Sequence, residues 1–278
     1  MPTAQPDPAY TREAIQRRLN TLIIGKEIEV RSQVDSTNDL VREAGRRGVS
    51  EGLVIVAEEQ VRGRGRLGRT WVAPPGSSIL CSVLLRPHFS PQQAFYLTIA
   101  TSLAILRGIR RTDDVAGSSV VGRRSSVVRS EIKWPNDVLL NGRKVSGVLC
   151  ESEFSGGDWA FAAVGFGINA NLPRGSFGDL SDRATSISAE LGHEVNRAVL
   201  LARVLTELEA CYLAMQNGQF HSIYASWVSS LETLGRQVSV DYGQDQITGQ
   251  ALRVEPDGSL VIKTPEGLEI SVLAGDVV

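Results

Sequence analysis

Apolar positions recur with two different periods along this 278-residue chain, and each change of period marks an element. Ile15 and Leu19, four apart among charges, predict a short amphipathic helix over residues 11–19. A strand over Glu27–Val34 follows. Ser36 then precedes Asp39 at a capping-box-like spacing, which predicts a helix over residues 37–47 starting directly after that strand. Gly48 and Gly52 bracket its exit, LVIVAEEQ from Leu53 predicts a second strand, and Ser78–Leu85 a third. Between these two strands, residues 62–69 alternate glycine and arginine, too polar for a core element, and predict a loop. Ala94, Leu97, Ala100, Leu103 and Leu106 then fall at helical intervals and predict a long helix over residues 91–110, packed on the sheet.

Residues 112–130 are small, polar and biased to Gly, Ser and Arg; they predict either a mobile connection or, from their valine pairs, a short hairpin. Four strands follow over residues 131–134, 138–140, 143–154 and 160–168, with Asn141-Gly142 a strong hairpin signal. Helices are expected over residues 196–217 and 220–231. From Leu234 the pattern changes to short alternating strands broken by Asp257-Gly258 and Glu266-Gly267, the signature of a small all-β barrel. The expected fold class is therefore α+β, with a larger unit over residues 1–232 and a small β-barrel over residues 233–278.

Composition narrows the function. With 42% hydrophobic and 22% charged residues the chain is neither a disordered tail nor a fibre, and a formal net charge of -2 gives no chain-wide field for nucleic acid. Any basic function must be local. Of the 29 basic residues only Lys26, Lys133, Lys144 and Lys263 are lysine. Cys81, Cys150 and Cys211 are widely spaced without a CxxC pair, which predicts three buried thiols rather than a disulfide framework or a zinc site. His88, His193 and His221 have no partner at a catalytic or metal-ligating spacing, so no protein-held metal is expected. The proline-bearing amino terminus lacks a signal-peptide core, and no stretch reaches the roughly 18 apolar residues of a membrane span. A soluble, cytoplasmic protein with no membrane or DNA partner is expected.

Four clusters are suited to chemistry. In Gly63-Arg64-Gly65-Arg66-Leu67-Gly68-Arg69, followed by Trp71, glycine lets backbone N–H groups approach an anion while forked guanidiniums match phosphate oxygens. A phosphate cradle is the first reading, with single-stranded RNA binding or plain solvation as the alternatives. Lys133-Trp134-Pro135-Asn136-Asp137 and the hairpin carrying Lys144 and Gly147 place polar groups where strands bend, to hold a ligand or merely to cap the turn. Gly165-Phe166-Gly167-Ile168-Asn169 ends a strand with glycines that permit close approach of an adenine or ribose. Asp35-Ser36-Thr37-Asn38, with Gln60 at the end of the next strand, offers hydroxyls and a carboxamide to a neutral polar ring, or caps a helix, or both.

Taken together, STNDL at Ser36, GRGRLGRTW at Gly63, KWPNDVLL at Lys133, GRKVSGVLCE at Gly142 and GFGINAN at Gly165 resemble the biotin protein ligases in order and spacing, and LGRQVSV to the terminal AGDV resembles that family's carboxy-terminal domain. The resemblance implies a mixed-sheet catalytic domain flanked by helices, of the class II synthetase and lipoyl-ligase type, with an SH3-like barrel. It implies the short form, without an amino-terminal helix-turn-helix or a repressor role. The implied reaction joins biotin and ATP, with Mg²⁺, into biotinoyl-5′-AMP and then acylates one lysine of a biotin carboxyl carrier domain. By the same resemblance Ser36, Thr37, Asn38, Gln60, Gly63, Arg64, Gly65, Arg66, Trp71, Lys144 and Gly147 would surround biotin. Arg64, Arg66, Arg69, Trp71, Lys133, Asn136, Asn169 and Ala170 would meet the nucleotide. Lys144, Arg66 and Asp137 would be catalytic: Lys144 would bridge the two anions, and Asp137 would orient or deprotonate the incoming amine. A loop of four arginines is expected to repel itself and stay open until ligand closes it. A lipoate or octanoate ligase and an RNA-binding module are the alternative readings.

Overall fold

The computed structural model describes residues 10–115, 128–242, 245–273 and 275–277. The main sheet has seven strands: β1 (Glu27–Val34), β2 (Leu53–Gln60), β3 (Ser78–Leu85), β4 (Ser130–Lys133), β5 (Asp137–Leu140), β6 (Arg143–Ser155) and β7 (Asp158–Asn169). Their order is β1-β2-β3-β7-β6-β5-β4. Only β1 and β2 pair in parallel, so a crossover must join them, and α2 (Thr37–Arg46) is that crossover.

The two faces of the sheet are covered by different layers. Leu53 and Ile55 of β2, with Leu84, Phe161 and Ala163, pack under Val41 and Ala44 of α2. Val54 and Val56, with Ile79, Cys81, Val83 and Leu85, face the larger core formed with α3 (Phe95–Val115) and α5 (Arg197–Gln216). Every residue of β3 is buried, as expected of a central strand covered on both sides.

Four differences from the sequence reading appear along the main unit. Helix α1 shortens to Arg12–Gln16, closed at its start by Thr11, whose Oγ1 accepts the Ala14 N–H at 3.2 Å. Helix α3 begins at Phe95, after a single turn at Pro91–Gln93, and runs to Val115 rather than ending near Arg110. Of residues 112–130, expected to form a hairpin or a mobile connection, 112–115 instead continue α3 and Ser130 opens β4, while 116–127 lie outside the described residues. Cys81 and Cys211 are buried as expected, whereas Cys150 is only partly so. Between β7 and α5 the chain makes a short helix α4 (Ile187–Leu191) that the sequence pattern did not announce.

After α5 and α6 (Phe220–Val228), strands β8 (Gln237–Tyr242), β9 (Asp245–Val254), β10 (Leu260–Lys263), β11 (Glu269–Val272) and β12 (Asp276–Val277) form an antiparallel sheet in the order β11-β10-β9-β8-β12. Among the described residues no pairing of β11 with β12 closes it into the expected barrel. It docks on the main unit through Trp134, whose backbone N–H donates to Thr233 Oγ1 (3.0 Å) and whose indole Nε1 donates to the Gly258 carbonyl (2.8 Å). Among the described residues no helix is long and apolar enough to cross a membrane.

Candidate active site

The site lies on the α2 face of the sheet, where glycines leave a hollow. Residues two apart on a strand share a face, and directly paired residues on neighbouring strands do too. Gly165 of β7 pairs with Ser82 and Leu149, while Gly167 pairs with Leu80 and Gly147, and Gly147 in turn pairs with Asp137. One patch of sheet is thereby stripped of side chains. A Cβ at Gly165 would sit 2.1 Å from Asn38 Oδ1, and one at Gly167 would sit 2.5 Å from the indole Cε2 of Trp71. Asn38 and Trp71 thus lie against these glycines, and both glycines line the cleft.

The N-terminus of α2 forms one wall. Ser36 occupies the N-cap position, yet its hydroxyl makes no capping hydrogen bond and lines the cleft instead. Gln60 Oε1 takes over, accepting the Thr37 backbone N–H (2.8 Å) and Thr37 Oγ1 (3.0 Å). Ser82 Oγ bonds Thr37 Oγ1 at 2.7 Å and Asn38 Oδ1 at 2.6 Å, and Asn38 Nδ2 donates to the Leu149 carbonyl at 3.1 Å. Buried polar groups held in such a network have one arrangement, which is what a rigid recognition wall requires.

The arginine loop is a small hairpin over this hollow. The Trp71 N–H donates to the Gly63 carbonyl (2.9 Å) and the Gly65 N–H to the Arg69 carbonyl (2.7 Å), while Leu67 and Gly68 turn the chain at φ 54° and 74°. A Cβ on Gly63 would fall 2.2 Å from the Trp71 carbonyl, so glycine is required where the hairpin closes. The expected self-repulsion of the arginines is met by partners from elsewhere. Arg64 Nη2 reaches Asp39 Oδ1 (2.6 Å) and Glu151 Oε2 (3.0 Å), Arg62 lies 3.7 Å from Asp35, and Arg66 Nη1 donates to Asn136 Oδ1 (3.0 Å).

Opposite the hairpin, Lys144 Nζ stands 2.7 Å from Asp137 Oδ1 and 5.8 Å from the centroid of the Trp71 ring. Its orientation depends on a β-bulge. Val138 pairs with Ser146 but Leu139 pairs with Lys144, so one extra residue on β6 lies between them. Without it Lys144 would share a face with Ser146; with it Lys144 shares the face of Gly147 and Asp137. The backbone of Lys144 is held by hydrogen bonds with Arg183 O (2.7 Å) and Thr185 N (2.8 Å).

The resulting cleft, about 760 Å³ including its mouth, is lined by Ser36, Thr37, Asn38, Gln60, Arg64, Gly65, Arg66, Arg69, Trp71, Asn136, Asp137, Lys144 and Gly147 among the residues expected from the sequence. Four others lie outside the lining. Gly63 acts through its backbone. Asn169 is buried with Nδ2 donating to the Thr185 carbonyl (3.0 Å), so its amide holds the segment that holds Lys144. Ala170 is buried beside it, its carbonyl accepting from Ser188 N (2.9 Å), and Lys133 on β4, paired with Asp137 and so on the cleft's face of the sheet, is not among the residues that line it. Sequence reasoning overlooked Ser82, whose hydroxyl in the middle of an apolar strand was the available signal, together with Thr70, Phe166 and the acids Asp39 and Glu151 that engage Arg64.

A donor-rich wall suited to a neutral polar ring thus faces arginines, a lysine and an aromatic plate suited to anions. The comparisons make this specific. Residues 5–169 match the Biotin/lipoate A/B protein ligase family, and residues 233–278 match the Biotin protein ligase C terminal domain. The biotin--[acetyl-CoA-carboxylase] ligase of Mycobacterium tuberculosis is 33% identical over 274 residues, covering 95% of this chain and 94% of that one. The bifunctional ligase/repressor BirA of Bacillus subtilis is 30% identical over 252 residues, covering 90% of this chain and 74% of the relative. Among solved structures, the biotin protein ligase from Aquifex aeolicus in complex with biotin and ATP superposes with a TM-score of 0.72 at 29% identity, over 91% of this chain and 98% of that one. The chain belongs to the biotin/lipoate protein ligase family.

Proposed function

We propose that this enzyme condenses biotin with ATP to give biotinoyl-5′-AMP and pyrophosphate, then passes the acyl group to one lysine of a biotin carboxyl carrier domain of an acyl-CoA carboxylase in the cytoplasm. The observation that carries the reading is the convergence of the arginine hairpin and Lys144 on one cleft beside the Ser36–Gln60 wall. The name of the mycobacterial relative and the ATP and biotin in the Aquifex complex support the substrate assignment.

The chemistry needs two anions, the biotin carboxylate and the α-phosphate, to meet. Cations that lie between them lower that repulsion and stabilise charge growing on the phosphoryl oxygens. Lys144, aimed into the cleft by the bulge, bridges the carboxylate and the α-phosphate, and Arg66 and Arg69 face the phosphates from the hairpin. Ser36, Thr37, Asn38 and Gln60 receive the ureido ring, with the backbone from Gly63 to Arg66 closing over it; Trp71 packs against the acyl chain or the adenine, and Asn136 contacts the nucleotide. Mg²⁺ arriving with the nucleotide would add to the screening of its phosphates. Holding both reactants in place contributes up to about 7–11 kcal/mol to the rate. In the second half the lysine amine attacks the acyl carbon, AMP leaves, and Asp137 takes the proton. Residues 1–232 carry this chemistry, and residues 233–278 buttress the Trp134 turn.

Biotin-dependent ATP–pyrophosphate exchange, run in parallel with lipoic and octanoic acids, tests the reading. Exchange is expected with biotin alone, to fall by several orders of magnitude in Lys144→Ala, and a carrier domain is expected to gain one biotinoyl group by mass spectrometry. Exchange with lipoic acid only, or wild-type exchange in the variant, would refute it.

A further inference from the structure

Resting on the ligase reading, we propose that Asp39 and Glu151 form a carboxylate latch, two positioning residues that hold the arginine hairpin down through Arg64 and so set how long the enzyme retains its acyl-adenylate. Arg64 stands at the base of the hairpin, where its neighbour Gly65 closes the turn by donating to the Arg69 carbonyl. Its Nη2 is shared between two carboxylates on separate elements, Asp39 in the first turn of α2 and Glu151 on β6. Glu151 is itself fixed to the recognition wall, accepting from Asn38 Nδ2 at 2.8 Å, with Arg42 Nη1 at 3.4 Å. The hairpin is thereby tied to the wall of the cleft by a line of charge-assisted bonds that bypasses the ligand. Two acids on one guanidinium also offset the mutual repulsion of Arg62, Arg64, Arg66 and Arg69 that would otherwise open the hairpin.

Asp39 does not line the cleft, so its substitution separates holding from recognition. Asp39→Asn removes one of the two charges at nearly constant shape, and loss of a partly exposed charge-assisted bond corresponds to adenylate dissociation faster by about tenfold. Preformed enzyme–adenylate complex, chased with unlabelled biotin and ATP, gives that rate. Expected are faster release in Asp39→Asn, restoration in Asp39→Glu, unchanged thermal stability and unchanged affinity for biotin alone. In the wild type release should accelerate with added NaCl, and this dependence should weaken in Asp39→Asn, because salt screens the pair. Release within twofold of wild type in Asp39→Asn, or a wild-type rate indifferent to salt, would overturn the latch. Wild-type enzyme forming no biotinoyl-adenylate would overturn the ligase reading instead, so the two failures are distinguishable.

Discussion

Lys144 and Asp137 show how little separates holding a reactant from transforming it. Asp137 Oδ1 faces Lys144 Nζ at 2.7 Å, so in the resting cleft the carboxylate positions the amine. In the proposed reaction, once Lys144 turned to the two anions, Asp137 would be left beside the acyl group, where an arriving lysine must lose a proton before it attacks. Asp137→Asn is therefore expected to slow transfer to the carrier far more than it slows biotin-dependent pyrophosphate exchange. Equal losses in the two half-reactions would leave Asp137 the holding role alone. At this scale the motifs were legible because each brings a rare residue type to a defined spacing: one of four lysines, a glycine–arginine alternation, a lone Gln at a strand end. What they could not convey is which side chains line the cleft: Asn169 and Lys133, both inside motifs, stand on its face of the sheet but are not part of its lining.

The elements are joined by polar ties as well as by apolar packing. Arg197 of α5 and Glu58 of β2 have side chains only 1% and 5% exposed, and they pair at 2.7 and 3.0 Å. Glu58 Oε2 also accepts the Gly76 N–H at 3.1 Å, and the Arg197 guanidinium lies 4.2 Å from the centroid of the Tyr10 ring. One ion pair thus fastens a helix, a central strand, the loop leading into β3 and the start of the described chain. Removing one partner strands the other charge in the core, so Arg197→Met is expected to lower unfolding free energy by about 3–5 kcal/mol in urea titrations. Arg197→Met combined with Glu58→Met should recover much of that loss, since two apolar groups leave no uncompensated charge. Strand β2 was readable from its sequence, but the burial of its Glu58 was not, because the partner lies 139 residues away.

Across the whole molecule, the small sheet and the larger unit meet at the turn that carries Trp134 and Asn136. Trp134 is buried, its indole bonded to Gly258 O, and two residues further on Asn136 binds both the Val148 carbonyl (2.7 Å) and Arg66 (3.0 Å). Gly258 packs so closely on Phe95 that a Cβ there would lie 2.2 Å from the ring, and Phe95 meets Trp227 edge-on at 5.8 Å. Trp134→Phe keeps the ring but abandons the Gly258 carbonyl, and it is expected to cost about 1–3 kcal/mol, read as a lower melting temperature by calorimetry. A melting temperature equal to that of the wild type would show that the carbonyl finds another partner.

Periodicity and turn chemistry by themselves determined the strands and most helices, because a strand or helix must satisfy its backbone locally and bury the face its own side chains define. Motif order likewise announced the reaction. The tertiary structure decided which motif residues share a cavity: a single-residue bulge at Val138–Leu139 turns Lys144 onto the face of Asp137, and acids from α2 and β6 neutralise an arginine that the sequence presents as bare charge. Register and charge pairing depend on contacts between segments far apart in the chain, and no local pattern encodes them.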